Sequence, residues 1–259
     1  MIIDRIKDRT GNYTGKLGIY YIDLNTDMGC FVGNQDVFPA SGMVMLMTLI
    51  EAFRQIYDGK LSKNSIYKLK KSQVSTGEIT YGAIDSLHDG ISLTVEDLYR
   101  LSISVSDNSA FNILLTKLGI TSVNATFAQM GYKNMRINRP LFDEKKIRQG
   151  IDNYISVEEV GTIFQRLYKG QIISADSSAD MLECLTHHQR TNVIPYNFSE
   201  DMKIAHISGY DEGLILDAGI VCCENPFVIS MAAHDGDTRK AEGLMRDVTL
   251  ICYQNSMRL

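Results

Sequence analysis

No run of eighteen apolar residues occurs anywhere in the 259-residue chain, which excludes a membrane-spanning helix. The opening stretch, Met1-Ile2-Ile3-Asp4-Arg5-Ile6-Lys7-Asp8, carries charges where a signal peptide needs an apolar core. As written, the chain reads as cytoplasmic; it reads as secreted if a leader has been removed. Basic charge is also short. With 26 Lys and Arg against 31 Asp and Glu the net charge is −5, which argues against a nucleic-acid or anionic-membrane partner. The five cysteines (Cys30, Cys184, Cys222, Cys223, Cys252) form no C-x-x-C pair, so zinc and dithiol motifs lack support. They lie on or beside apolar runs and read as mostly buried free thiols in a reducing compartment. No internal repeat or low-complexity segment appears. What remains is ordinary globular composition, 44% hydrophobic and 22% charged, in a chain long enough for one domain or two interleaved ones.

The chain is organised around Phe38-Pro39-Ala40-Ser41-Gly42 and the apolar run from Met43 to Phe53. This is a turn releasing into a long helix that is hydrophobic all round, hence buried. Ser41 sits at the helix mouth, where it suits the N-cap and where free N–H groups favour an anion. A serine there is either a plain cap or a nucleophile. Before it, residues 2–8 read as an amphipathic helix, and Lys16–Asp23 with Gly29–Val32 as a hairpin across Asn25-Thr26-Asp27. After it, residues 59–92 read as short helices and loops. Thr94 caps a helix that Ser106-Asp107-Asn108-Ser109 interrupts, with helical spacing resuming over Ala110–Leu118 and again over Thr121–Met130. Residues 138–154 have no clear period and read as a long surface loop, a kind usually functional or disordered. Ser156 caps a helix to about Leu167, and another covers Ala175–His187. Strands over Lys203–Ser208, Leu214–Cys222 and Phe227–Ala233 precede a terminal helix from about Thr238 to Tyr253. Strands at both ends of the chain predict one antiparallel sheet.

Several spacings coincide. Phe38-Pro39-Ala40-Ser41 follows a hairpin, and Tyr81 precedes Ser106 by 25 residues; Ser106-Asp107-Asn108 is followed by Ala110-Phe111-Asn112-Ile113-Leu114-Leu115. Arg139 opens the long loop, and Ser208-Gly209 ends a strand ahead of the terminal helix. Over essentially its whole length the chain thereby resembles the class A β-lactamases and, more distantly, the penicillin-binding peptidases. The resemblance implies an α+β fold, β-lactamase/transpeptidase-like, with a five-stranded antiparallel sheet flanked by helices plus an all-helical lobe. The α/β lobe would come from about 1–40 and 200–259, the helical lobe from about 41–199, with the site between them. It implies Ser41 as the acylated nucleophile and Ser106 as proton shuttle to the leaving group. Tyr81 would rim the pocket, Asn108 would hold the substrate amide, and Ser208 and Gly209 would stand in the third motif. The main-chain amides of Ser41 and Tyr210 would form the oxyanion hole.

The departures bear on function. The family's S-x-x-K lysine is Val44 here, the K-T-G lysine is Ile207, and the loop's R-x-E-x-x-x-N keeps Arg139 but has Leu141 for the glutamate and Lys145 for the asparagine. No arginine lies on Leu214–Cys222 to bind a substrate carboxylate. A serine hydroxyl is a poor nucleophile until a neighbour takes its proton, an effect worth ~10²–10⁴ in rate. Two cations and one anion are replaced together by apolar residues, as befits a charge network rebuilt as packed core, because removing one member alone strands the rest. His206 adjoins Ile207 on a strand and should face away from Ser41. Asp143, Glu144, Lys145 and Lys146 on the loop read as solvated charge, and His187-His188 as helix-end chemistry; no metal site and no cofactor are expected. The leading expectation is a degenerate relative with little or no β-lactam hydrolysis, keeping a serine-lined pocket for a β-lactam-like or peptidoglycan-like small molecule. The competing ones are a serine hydrolase using Ser41 with a non-standard base, acting on another amide or ester, and a working β-lactamase.

Overall fold

The computed structural model describes residues 1–71 and 82–257. Along the first part of the chain lie α1 (Ile2–Thr10), β1 (Lys16–Asp23), β2 (Gly29–Gly33), β3 (Val37–Pro39), α2 (Val44–Tyr57), β4 (Ile66–Lys68) and β5 (Ser92–Thr94). The middle holds α3 (Val95–Ser104), α4 (Asn108–Leu118), α5 (Ile120–Gln129), α6 (Glu144–Arg148), β6 (Tyr154–Ser156), α7 (Val157–Tyr168) and α8 (Ala175–Thr186). The chain closes with β7 (Ile204–Asp211), β8 (Leu214–Val221), β9 (Phe227–His234) and α9 (Thr238–Ser256).

The five-stranded antiparallel sheet has the order β2-β1-β9-β8-β7, so first and last segments of the chain meet at β1 and β9 as the terminal strand runs predict. Every residue of β8 is buried, because helices cover both faces of the sheet. On one face Ile215, Val221, Ile229 and Met231 pack with Leu244, Met245 and Val248 of α9. On the other, Ile207, Leu216, Ala218 and Ile220 join the larger cluster that contains α2. Ten consecutive residues of α2, Val44 to Phe53, are buried, which makes this helix the axle of the helical layers. Its one buried charge, Glu51, accepts from Arg54, Gln55, Ser122 and Thr126 and so ties α2 to α5. Burial pushes the Glu51 carboxyl up, but those four donors outweigh it and hold it at about 2.

Caps place several boundaries. Thr94 caps α3 in a capping box with Asp97, and Ser156 accepts from the Glu159 N–H at the start of α7. The Ser106-Asp107-Asn108 interruption is shorter than the residue pattern suggests: Asp107 is itself the N-cap of α4, which begins at Asn108. The loop of residues 138–154 is also less irregular than expected. It contains α6, is pinned at its base by an Arg136–Tyr154 bridge, and runs into β6, which pairs with β3 just ahead of Ser41. The two short ribbons, β3 with β6 and β4 with β5, have three residues per strand, too few for a periodic signal. Cys184 and Cys252 are buried, while Cys30, Cys222 and Cys223 are half-buried; all five are free thiols. Among the described residues no helix is long and apolar enough to cross a membrane.

Candidate active site

Ser41 does not cap α2. It opens a single 3-10 turn, Ser41–Met43, ahead of the helix, and its φ of 43° lies in the left-handed region that disfavours a side chain. Its hydroxyl donates to the main-chain carbonyl oxygen of Tyr210 on β7 at 2.8 Å. Two glycines allow that approach. A Cβ on Gly42 would stand 2.9 Å from the Ser208 carbonyl oxygen, and one on Gly209 3.2 Å from Ser41 Cβ. Turn and strand edge are thus packed backbone against backbone.

Across the cleft Ser106 is likewise left-handed, with φ of 55°, and Asn108 begins α4. Asp107 between them faces inward as a brace: one oxygen accepts from Ala83 N–H (2.6 Å) and Ile84 N–H (2.8 Å), the other from Ala110 N–H (2.8 Å). A cavity of about 810 Å³ lies between these two walls, within the range of small-molecule sites. Ser41, Ser106, Asn108, Ser208, Gly209 and Tyr210 all line it. Tyr81 falls outside the described residues.

The third wall is the loop. Arg139 ion-pairs with Asp152 at 2.7 Å and donates to the Ile151 carbonyl, while the Asn112 side chain both donates to the Leu141 carbonyl and accepts from its N–H, each at 2.9 Å. That clamp sets Leu141 on the cavity wall. Three of the four loop charges are engaged locally: Asp143 caps the Lys146 N–H, Glu144 pairs with Arg148, and Lys146 Nζ donates to the Asn138 carbonyl. Val44 and Ile207 are fully buried, and Leu141 packs on the same apolar cluster. The three greasy substitutions therefore share one core while the cavity above stays open.

Histidines give the site its second layer. His206 has its Nδ1 2.9 Å from Asp217 on β8, and its Nε2 has no hydrogen-bond partner among the described residues. Burial raises the Asp217 carboxyl, against the opposing pull of His206 and the Ile194 and Ala218 N–H groups. His187 is helix-end chemistry, 2.7 Å from Glu183. His188 is not. Just beyond α8 it is buried against the β7 edge, with Nε2 2.8 Å from Ser208 Oγ and Nδ1 2.6 Å from the Ile103 carbonyl oxygen, and its ring meets His206 edge-on at 4.7 Å. Burial and the neighbouring His206 pull its pKa down to about 3. Arg190 also lines the cavity, stacked 5.2 Å over the Tyr210 ring. Neither residue was legible in advance: both sit in an aperiodic connection, 20 residues before the β7 side chain that His188 touches.

A family profile, described as the β-lactamase enzyme family, matches residues 1–256. The chain belongs to that family. Its relatives include β-lactamase CARB-4 of Pseudomonas aeruginosa, 26% identical over 198 residues, which are 74% of this chain and 67% of the relative. Among solved structures, the β-lactamase of Sphaerobacter thermophilus superposes with a TM-score of 0.87 at 22% identity, covering 100% of this chain and 97% of the other. PBP-A superposes at 0.88 with 23% identity over 100% and 96%, and a PBP-A variant solved as an acyl-enzyme with penicillin G gives the same score over 100% and 97%. The β-lactamase/transpeptidase-like α+β fold is therefore that of this family member.

Proposed function

We propose that this chain is a degenerate class A β-lactamase-like protein with little or no β-lactam hydrolysis, keeping its cleft as a pocket for a β-lactam-like or peptidoglycan-like small molecule. One observation carries the reading. Among the described residues the Ser41 hydroxyl has a single hydrogen-bond partner, the Tyr210 carbonyl oxygen, which cannot take its proton. The family's base positions hold Val44 and Leu141, and Ile207 replaces the ammonium that would attract an anionic substrate. Without general-base assistance, acylation forfeits ~10²–10⁴ in rate and deacylation at least as much. The remaining roles are those of binding: Asn108 for a ligand amide, the Ser41 and Tyr210 N–H groups for a carbonyl oxygen, and Ser106 and Ser208 as hydroxyl contacts.

A second reading, a serine hydrolase with a non-standard base, draws on the imidazole of His188, buried behind the cavity-lining Ser208. Its depressed basicity counts against it. The experiment is incubation with a fluorescent penicillin and a chromogenic cephalosporin, followed by intact mass, alongside a Ser41→Ala control. The expected result is turnover no greater than that of the control. Turnover well above the control overturns the proposal, and Ser41-dependent cleavage of simple esters without β-lactam turnover favours the second reading.

A further inference from the structure

The proton of Ser208 is already committed. Nδ1 of His188 lies 2.6 Å from the Ile103 carbonyl oxygen, an atom that only accepts, so Nδ1 carries the ring proton. Nε2 receives the main-chain N–H of Ser208 at 3.2 Å, a group that only donates, so Nε2 presents its lone pair. Two independent contacts thus select the same neutral tautomer, and burial keeps the ring uncharged. Ser208 Oγ, 2.8 Å from that same Nε2, is therefore a donor to it. A hydroxyl has one proton, and with that proton turned to the imidazole the oxygen has only lone pairs for any other neighbour.

The charges around the cavity point the same way. Arg139 is paired with Asp152, and Arg190 is stacked on Tyr210; against these two guanidinium groups stand the carboxylates of Asp152, Asp211 and Glu212. Among the described residues no lysine lines the cavity. A carboxylate arriving at Ser208 Oγ meets lone pairs, in a lining that sets three carboxylates against two guanidinium groups.

We propose that His188 is a specificity-determining positioning residue: by holding Ser208 as an acceptor it makes the pocket prefer a ligand that donates a hydrogen bond there, such as an amide, hydroxyl or ammonium, over one bearing a carboxylate. This rests on the reading of the cleft as a ligand pocket. The test is calorimetric titration of the full chain at pH 7 with penicillin G and with its carboxamide, in which –CONH₂ replaces the carboxylate. The carboxamide binds about tenfold more tightly, as expected for one hydrogen bond gained against one lone-pair repulsion. Ser208→Ala, which leaves the main-chain N–H to His188 in place, brings the two affinities within about twofold, whereas Ser208→Thr keeps the preference. In the ¹⁵N spectrum of histidine-labelled protein, His188 is protonated at Nδ1 and bare at Nε2. Equal or tighter binding of penicillin G, a preference that survives in Ser208→Ala, or protonation at Nε2 overturns the proposal while leaving the pocket intact. Binding of neither probe overturns the pocket reading, and this proposal with it.

Discussion

The Ser41 hydroxyl donates to the carbonyl oxygen of Tyr210, 2.8 Å away, and the main chain of Ser41 is left-handed at the same point. One contact holds the side chain while the backbone beneath it is strained, a combination common at functional sites. The two can be separated. Ser41→Ala removes the hydrogen bond and keeps the strain; Ser41→Gly removes both. A left-handed conformation costs about 1–2 kcal/mol for a side-chain-bearing residue, partly offset by the extra unfolded-state freedom of glycine. Ser41→Gly is therefore expected to be more stable than Ser41→Ala by about 1 kcal/mol in urea denaturation. Equal stabilities would mean that the turn relaxes around alanine.

Val44 sits where a lysine would meet an apolar environment. It is fully buried in the apolar cluster that also contains Ile207. Val44→Lys places an ammonium in that cluster. The expected outcome is a loss of about 3 kcal/mol or more at pH 7, with no gain in β-lactam turnover. Because burial lowers the lysine pKa in the folded chain only, the unfolded chain holds more protons, and stability should recover as pH rises toward 9. Denaturation at pH 6 and pH 9 checks the sign.

How far the sequence could be read follows from the range of each signal. Long periodic runs announced β1, β7, β8, β9 and α2, because burial on one face or on every face writes a pattern eight or more residues long. Ser41, Ser106, Asn108 and Ser208 were legible through their order along the chain. His188 and Arg190 were not, since their roles come from where the segment after α8 crosses the edge of β7. Nor was the departure of Ser41 from a capping role visible, because it depends on a carbonyl 169 residues away.

His188 also sets a pH dependence. Its pKa is about 3 in the folded chain against 6.5 for an unperturbed histidine. Between those values the unfolded chain takes up a proton that the folded chain refuses, so acidification from about pH 6.5 to 3 removes stability, on the order of 5 kcal/mol in full. Glu51 adds to the loss below its ordinary range, being held at about 2. Asp217 opposes it, since burial raises its carboxyl and the folded chain gains that proton first. Urea denaturation at pH 7, 5.5 and 4.5 should show a steady decline, with a shallower slope for His188→Asn. Parallel slopes would assign the acid sensitivity to other groups.

Glu51 tests whether the helix behind Ser41 is held by charge or by shape. Its carboxylate is fully buried and receives hydrogen bonds from Arg54, Gln55, Ser122 and Thr126, with Arg54 a quarter exposed and also paired to Asp58. Glu51→Ala leaves the Thr126 hydroxyl buried without its acceptor and opens a cavity, so the expected loss is about 3–5 kcal/mol. Arg54 can turn to Asp58 and water, which makes Thr126 the group that suffers. Pairing Glu51→Leu with Thr126→Val removes the buried acceptor and one buried donor together and refills the space. That double variant is expected to recover at least 1 kcal/mol relative to Glu51→Ala, since an apolar pair of similar shape avoids the cost of an unsatisfied hydroxyl. If it is no more stable than Glu51→Ala, the carboxylate contributes chiefly through its pairing with Arg54, a charge interaction within α2 itself.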